Sequence, residues 1–319
     1  MGKLAFLFPG QASQYPCMGR DLVEKFTESK AVFDEADVAL GFSLSQLCFE
    51  GSEDALKQTE NTQPAILTVS IAAYRALEKQ GITPDFVAGH SLGEDSALVA
   101  AGALDFSTAV KLVRGRGRYM QEAVPAGQGA MAAILGLSPA DVAEVCKKAA
   151  ETEVVSPANM NSPEQTVISG SAAAVKRAVE IASQSGAKRA VILAVSAPFH
   201  CAMMLAAQQR LESDLRAANF SNLKFPLITN VDAEAITTGE EARDALIRQV
   251  TNPVRWLESI RDMIDNGVTV FVEVGPGKVL TGLLRQIDRS VRVFNVEDSA
   301  TLQATVEKLP RARAEVREP

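Results

Sequence analysis

Two textures of apolar residues alternate along the 319-residue chain, short continuous runs and longer segments carrying a helical stripe. Leu4 to Phe8 is a run of the first kind, as expected of a strand covered on both faces, and it ends in Pro9-Gly10-Gln11. Leu22, Phe26, Phe33 and Val38 form a broken stripe that predicts a helix from about Arg20 to Leu40. Ile66, Leu67, Ile71, Tyr74 and Leu77 predict a second from about Gln63 to Gln80, stopped by Gly81. Phe86-Val87-Ala88 reads as the end of a buried strand, and the apolar residues from Ala97 onward belong to a helix. Phe106 to Ala123 is another helix, interrupted by Gly115 and Gly117. Each glycine costs about 1 kcal/mol relative to Ala in a helix interior, so the pair suggests close packing or a nearby ligand.

From about Gly127 the texture changes. Met131 to Leu137, Val154-Val155, Gln165 to Ser169 and Arg189 to Val195 read as strands, with helices at Pro139 to Ala150 and Ala172 to Gln184. The order β-α-β-β-α-β is that of a ferredoxin-like α+β unit, here an insertion. The larger pattern resumes with a helix from Ala202 to Ala217, a strand near Pro226 to Ile228, and helices at Glu240 to Val250 and Pro253 to Asp265. Val268 to Val274 is a strand, Gly275-Pro276-Gly277 a packing turn into a further helix, and Val291 to Val296 the last strand. Strands alternating with helices predict an α/β fold with a parallel sheet. The expected division is a discontinuous, α/β hydrolase-like large domain (1–126 and 198–310), a small ferredoxin-like domain (127–197), and a charged, disordered tail (311–319).

Composition narrows the class. Hydrophobic content of 47% with 22% charged residues is globular. The longest apolar runs, such as Ala97 to Leu104, are too short to cross a bilayer, and the N-terminus enters a strand without a signal-peptide pattern. The expectation is a cytoplasmic protein without a membrane partner. A net charge of −7 argues against nucleic acid as a partner. The four cysteines, Cys17, Cys48, Cys146 and Cys201, show no metal-ligand spacing.

Between the Phe86 strand and the following helix lies Gly89-His90-Ser91-Leu92-Gly93. A strand that turns into a helix within about one residue holds its serine in a strained conformation, and side chains at 89 and 93 would collide across the turn. Ser91 is thereby lifted to a helix N-terminus, where free backbone N–H groups can stabilise an oxyanion. A serine nucleophile needs a base, and the chain has two histidines. His90 adjoins Ser91 and points away in such a turn, which leaves His200. No Asp or Glu singles itself out to orient that histidine. One of the last carbonyls of the helix ending at Gln249-Val250-Thr251-Asn252-Pro253 could do so, since these lack intrahelical partners.

Arg116 is the remaining anomaly. On a helical wheel Lys111, Arg114, Arg118 and Gln121 share one face, while Arg116 falls opposite, among Ala109, Leu112, Val113 and Met120. A guanidinium on an apolar face needs a partner, either a protein carboxylate or that of a dicarboxylic acyl substrate.

Together with Phe8-Pro-Gly-Gln-Ala-Ser-Gln14, Arg116-Gly-Arg-Tyr-Met-Gln121, Ala158-Asn-Met-Asn-Ser-Pro163, Val167-Ile-Ser-Gly170, Pro198-Phe-His200 and Gly275-Pro-Gly277, these residues resemble the malonyl-CoA:acyl-carrier-protein transacylases over residues 3 to 300. The resemblance implies that Ser91 takes malonyl from malonyl-CoA and passes it to the phosphopantetheine thiol of acyl carrier protein, supplying fatty-acid synthesis. It assigns His200 as base and acid, the Gln249 carbonyl as its orienting group, and the Gln11 and Leu92 N–H groups as oxyanion hole. It pairs Arg116 with the malonyl carboxylate and places Phe199 against the carbon between the malonyl carbonyls. Neither a cofactor nor a metal is implied. Lys188 and Arg189 are candidates for docking an acidic carrier.

Two positions depart from the family pattern. Ala12 replaces a usual glycine, and Asp95 stands where an aromatic residue is common, putting a negative charge close to Ser91. Three alternatives compete. An acyltransferase of a polyketide pathway would share every motif, but as a synthase domain it is expected among neighbours. A serine thioester hydrolase would be expected to show an acid in its triad and a His-Gly oxyanion motif. A non-catalytic scaffold would have no use for Ser91, His200 and Arg116 together.

Overall fold

The computed structural model describes residues 2–195 and 197–309. The expected tail at 311–319 lies outside them. In chain order the elements are β1 (Lys3–Phe8), α1 (Arg20–Lys25), α2 (Thr27–Leu40), α3 (Leu44–Glu50), α4 (Glu53–Lys57), α5 (Thr59–Lys79), β2 (Phe86–Gly89), α6 (Leu92–Ala100) and α7 (Phe106–Glu122). There follow β3 (Gly129–Leu135), α8 (Pro139–Ala150), β4 (Val155–Ser162), β5 (Gln165–Ser171), α9 (Ala172–Gln184) and β6 (Arg189–Ile192). The chain continues with α10 (Leu205–Ala217), β7 (Leu227–Ile228), β8 (Ala235–Ile236), α11 (Gly239–Gln249), α12 (Trp256–Asp265), β9 (Val268–Val274), α13 (Val279–Ile287), β10 (Arg292–Val296) and α14 (Ser299–Lys308).

Among the described residues ten strands make two sheets. The larger has the order β10-β9-β1-β2-β7-β8 and is parallel except for β8, which runs antiparallel to β7. Its centre is β1, whose last four residues are fully buried: Phe6 and Phe8 face the helices α2, α5 and α7, while Ala5 and Leu7 face α12 and α13. That two-sided burial is why the run carries no polar alternation. The smaller sheet, β4-β5-β3-β6, is antiparallel throughout, and with α8 and α9 on one face it is the ferredoxin-like unit expected from the element order. Its other face contributes Met131, Ala158 and Val167 to the main core, so the small unit leans on the large one.

Several elements differ from expectation. The helix expected over Arg20 to Leu40 is broken at Phe26, which is extended (φ −127°, ψ 119°) and packs against the main core. The short helices α3 and α4, the strand β8 and the last helix α14 were not anticipated. The helix expected from Gln63 begins at Thr59 and carries Pro64 inside it. The ring removes the donor for the Glu60 carbonyl. The helix expected from Pro253 begins only at Trp256, because Val254 is drawn into extended pairing with β4: its N–H donates to the Ala158 carbonyl at 2.8 Å, and its carbonyl accepts from Met160 N–H at 2.9 Å. This bridge ties β4 of the small sheet to the connection between α11 and α12, and Asn159 within it lines the cavity described below. No helix among the described residues is long and apolar enough to cross a membrane.

Candidate active site

The turn from β2 into α6 needs glycine for a measurable reason. A Cβ on Gly89 would lie 1.9 Å from the Gly93 carbonyl, and one on Gly93 would lie 2.0 Å from the Phe8 carbonyl oxygen. Both obstacles are backbone and cannot step aside. Between them Ser91 has φ 52° and ψ −111°, a region that L-residues rarely occupy. Polar side chains from elsewhere in the fold hold this backbone. Ser91 N–H donates to Asn230 Oδ1 at 2.7 Å, Asn230 Nδ2 donates to the Gly89 carbonyl at 2.7 Å, and Gln249 Nε2 donates to the Ser91 carbonyl at 3.0 Å.

His200 meets this serine from the segment that returns to the large sheet. Its Nε2 is 2.7 Å from Ser91 Oγ, and its Nδ1 is 2.9 Å from the Gln249 carbonyl, the acceptor that the family resemblance named. The carbonyl fixes the tautomer: Nδ1 carries the hydrogen, and Nε2 is free to accept a proton from Oγ. His200 also has a positive φ of 58°, a second strained residue at the reacting pair. Burial pushes its imidazole down to about 3, with the Arg116 cation adding to the effect and the Gln249 hydrogen bond opposing it. The ring is therefore neutral at physiological pH. His90 turns away as expected, pairing Nε2 with Asn161 Oδ1 at 2.8 Å and setting its ring edge against Trp256.

Arg116 comes to the site from α7, only 4% exposed. Gly117 beside it is required by packing, since a Cβ there would lie 2.6 Å from the Thr59 carbonyl oxygen, and so α7 lies close against α5. The guanidinium donates to Gln63 Oε1 at 2.8 Å, Gln249 Oε1 at 2.7 Å and Ser91 Oγ at 3.1 Å. All three acceptors are neutral, so the direct partners are not the protein carboxylate offered as one possibility. Asp95 and Glu94, both buried, favour the charged guanidinium from the first turn of α6. Burial raises the Asp95 carboxyl to about 6 while Arg116 pulls it back, and burial raises Glu94 to about 7 against the hydrogen bonds from Gln249 and Asn230. The odd residue at 95 thus adds a countercharge to a buried cation.

Ser91, His200 and Arg116 line a cavity of about 260 Å³, together with Gln11, Gln63 and Phe199. Leu92, whose N–H was named with that of Gln11, is the first residue of α6 and lies beside Ser91. The small sheet supplies Met131, Asn159 and Val167 to the wall, and α13 supplies Val279, Leu280 and Leu283. The Gly275-Pro276-Gly277 turn therefore does more than pack. It sends the chain into α13, whose N-terminal N–H groups at Leu280 and Thr281 donate to the buried Glu273 carboxylate at 3.0 and 2.7 Å. Lys188 and Arg189 lie elsewhere, at the small sheet's edge, where Lys188 pairs with Glu164 at 2.6 Å in an exposed contact. Four contributors escaped the sequence reading: Gln63, Glu94, Asn230 and the side-chain amide of Gln249. Of these, Glu94 directly follows the Gly89–Gly93 motif, and Gln249 falls on the stripe that Ala242, Ala245 and Leu246 form along α11.

Known proteins of similar sequence and fold show the family. The acyl transferase domain model matches residues 5–313. The malonyl CoA-acyl carrier protein transacylase of Bacillus subtilis is 49% identical over 97% of this chain and 98% of its own, and that of Escherichia coli K12 is 47% identical over 96% and 100%. Among solved structures, the transacylase of Coxiella burnetii superposes with a TM-score of 0.95 at 43% identity, covering 97% of this chain and 98% of its own. A malonyl-transacylase solved in complex with a type II polyketide acyl-carrier protein superposes at 0.94 with 44% identity, covering 96% and 100%. A serine held in an elbow, a neutral histidine on its hydroxyl, a buried arginine beside both, and near full-length similarity at these identities place the chain in the acyl transferase family, among the malonyl-CoA–acyl-carrier-protein transacylases.

Proposed function

We propose that the protein transfers malonyl from malonyl-CoA to the phosphopantetheine thiol of an acyl carrier protein through a malonyl ester on Ser91, supplying fatty-acid synthesis. The observation that carries the reading is a single oxygen, Ser91 Oγ, that has a neutral imidazole nitrogen at 2.7 Å and a guanidinium nitrogen at 3.1 Å. A base alone would suit any acyl transfer. The cation adds a reason to prefer an acyl group that ends in a carboxylate.

Ser91 Oγ attacks the thioester carbonyl carbon as His200 Nε2 takes its proton. The oxyanion is met by N–H groups at Gln11 and Leu92, an assignment supported by the place of Gln11 in the cavity wall and of Leu92 at the start of α6. The C–S bond then breaks, His200 returns the proton to the departing CoA sulfur, and the malonyl ester remains. The carrier thiol repeats the sequence in reverse. Arg116 holds the distal carboxylate, and Phe199 narrows the space beside the α-carbon.

The division into a discontinuous large domain (1–126 and 198–310) and an inserted small one (127–197) belongs to the same reading, supported by two sheets that share no strand. A cytoplasmic location goes with it, as the compartment expected to supply both substrates. Transfer to a polyketide carrier is a second reading, favoured by the similarity to a transacylase solved with such a carrier. The test is intact mass after mixing with malonyl-CoA. A malonyl adduct on Ser91 that moves to a carrier thiol faster than to water supports the proposal, and discharge to water alone would identify a hydrolase.

A further inference from the structure

Glu94 is 1% exposed, and its neighbours give it a defined task. Its Oε2 accepts from Asn230 N–H at 2.9 Å and from Gln249 Nε2 at 3.0 Å. The same Gln249 nitrogen also reaches the Ser91 carbonyl at 3.0 Å and Asn230 Oδ1 at 3.3 Å. Three acceptors converge on one end of the amide. A primary amide carries its donors on nitrogen and its acceptor on oxygen, so this convergence fixes which end faces which way. Oε1 is left to face Arg116, where it accepts from Nη2 at 2.7 Å. Were the amide reversed, an NH₂ group would meet the guanidinium and three acceptors would meet an oxygen.

We propose that Glu94 is a positioning residue for acyl-group selection: its Oε2 locks the orientation of the Gln249 amide, which in turn aims the Arg116 guanidinium at the site of the acyl carboxylate. The inference rests on the reading of Arg116 as the holder of that carboxylate. What matters is an acceptor at the place of Oε2, not the negative charge. Glu94→Gln keeps such an acceptor. Glu94→Asp keeps the charge and withdraws the acceptor by one methylene, about 1.5 Å on ordinary bond geometry.

The experiment measures kcat/KM for malonyl-CoA and acetyl-CoA with the parent, Glu94→Gln and Glu94→Asp. Glu94→Gln should keep the malonyl-to-acetyl ratio within about threefold, and Glu94→Asp should lower it about tenfold or more, the scale of a lost charge-assisted hydrogen bond. A general loosening of the fold would lower both thioesters together and leave the ratio alone. A second readout needs no substrate. In ¹⁵N-labelled parent and Glu94→Gln proteins the Arg116 Nη groups should give separate resonances, because their hydrogen bonds stop rotation about Nε–Cζ, and in Glu94→Asp they should merge. If the parent is not acylated by malonyl-CoA, the proposed function fails while the resonances still decide the role of Glu94. An unchanged ratio and unchanged resonances in Glu94→Asp would overturn the proposal, as would loss of the ratio in Glu94→Gln with retention in Glu94→Asp.

Discussion

Replacing Arg116 with alanine separates a substrate-binding role from a structural one, and the geometry sets the size of both effects. The guanidinium holds the side-chain oxygens of Gln63 and Gln249, which are 1% and 0% exposed, as well as Ser91 Oγ. Truncation strands two buried acceptors at a cost of about 1–3 kcal/mol each, reduced if water follows into the space left beside the cavity. That loss falls on stability and is the same for every substrate. The loss of a carboxylate partner is not. Hydrogen bonds to charged groups contribute about 1.5–3 kcal/mol, so malonyl transfer should fall about tenfold to a hundredfold or more relative to acetyl transfer. Arg116→Lys should recover only part of the difference, because an ammonium lacks the two parallel donors that reach Gln63 and Gln249 together. A second consequence follows from the imidazole. The Arg116 cation is one of the forces holding His200 down near 3, so the acid limb of the acetyl-CoA rate profile should move to higher pH in Arg116→Ala. The assay is kcat/KM for both thioesters across pH with the parent and the two variants, alongside urea unfolding of each. Equal loss for malonyl and acetyl transfer would refute the reasoning, and Arg116 would then be a packing residue with a remote effect on the serine.

His200→Ala should slow acylation by about 10²–10⁴-fold, the usual worth of general-base assistance, and a parent-like burst of acyl-enzyme would sink its assignment as the base. Because burial depresses His200 from 6.5 to about 3 in the folded protein, unfolding releases a ring that takes up a proton below about pH 6.5. The contribution is therefore fully present above pH 6.5 and shrinks by up to about 1.4 kcal/mol per pH unit as pH falls towards 3; the raised Glu94 and Asp95 carboxyls titrate with the opposite sign in both proteins, so urea titrations should show the slope as the difference between the parent and His200→Ala. Gly93→Ala should cost about 3 kcal/mol of stability or more, the upper end of what overpacking usually costs, since its Cβ would meet the Phe8 carbonyl oxygen at 2.0 Å; a melting temperature within about a degree of the parent would contradict this. Phe199 should make the parent prefer malonyl-CoA over methylmalonyl-CoA, and Phe199→Ala should narrow the gap by about tenfold, one methyl group's worth of discrimination; equal kcat/KM for the two thioesters in the parent would remove Phe199 from the pocket's selectivity.

The parts of the site that were legible in the sequence are those whose constraint is local or scarce. The elbow is local: the clash that forbids a side chain at 89 lies four residues away at Gly93, so strand, glycine, serine, glycine and helix can be read in one stretch. Histidine is scarce, and with two in the chain the partner of the Ser91 hydroxyl followed by elimination. Arg116 stood out because a helical wheel compares it only with its own helix. Elements were lost where tertiary contacts overrode local pattern, as at Phe26, where an extended residue packed against the core splits the expected helix, and at Val254, where pairing with β4 delays a helix.

Asn230 and Gln249 mark the limit more sharply. Their side chains meet the elbow across sequence separations of 139 and 158 residues. Asn and Gln occur everywhere on protein surfaces; Gln249 does continue the helical stripe of Ala242, Ala245 and Leu246, but that spacing says nothing of what its amide would meet, and Asn230 stands in no such stripe. What makes each indispensable is an amide with one donor end and one acceptor end, placed where a strained turn has left a bare N–H and bare carbonyls. A buried backbone group without a partner costs as much as a lost hydrogen bond, so the φ of 52° at Ser91 creates a demand for such amides somewhere in the chain. The sequence shows the demand at residues 89 to 93 and hides the supply, because only the sheet order, which sets β7 beside β2, carries Asn230 to the far side of the serine.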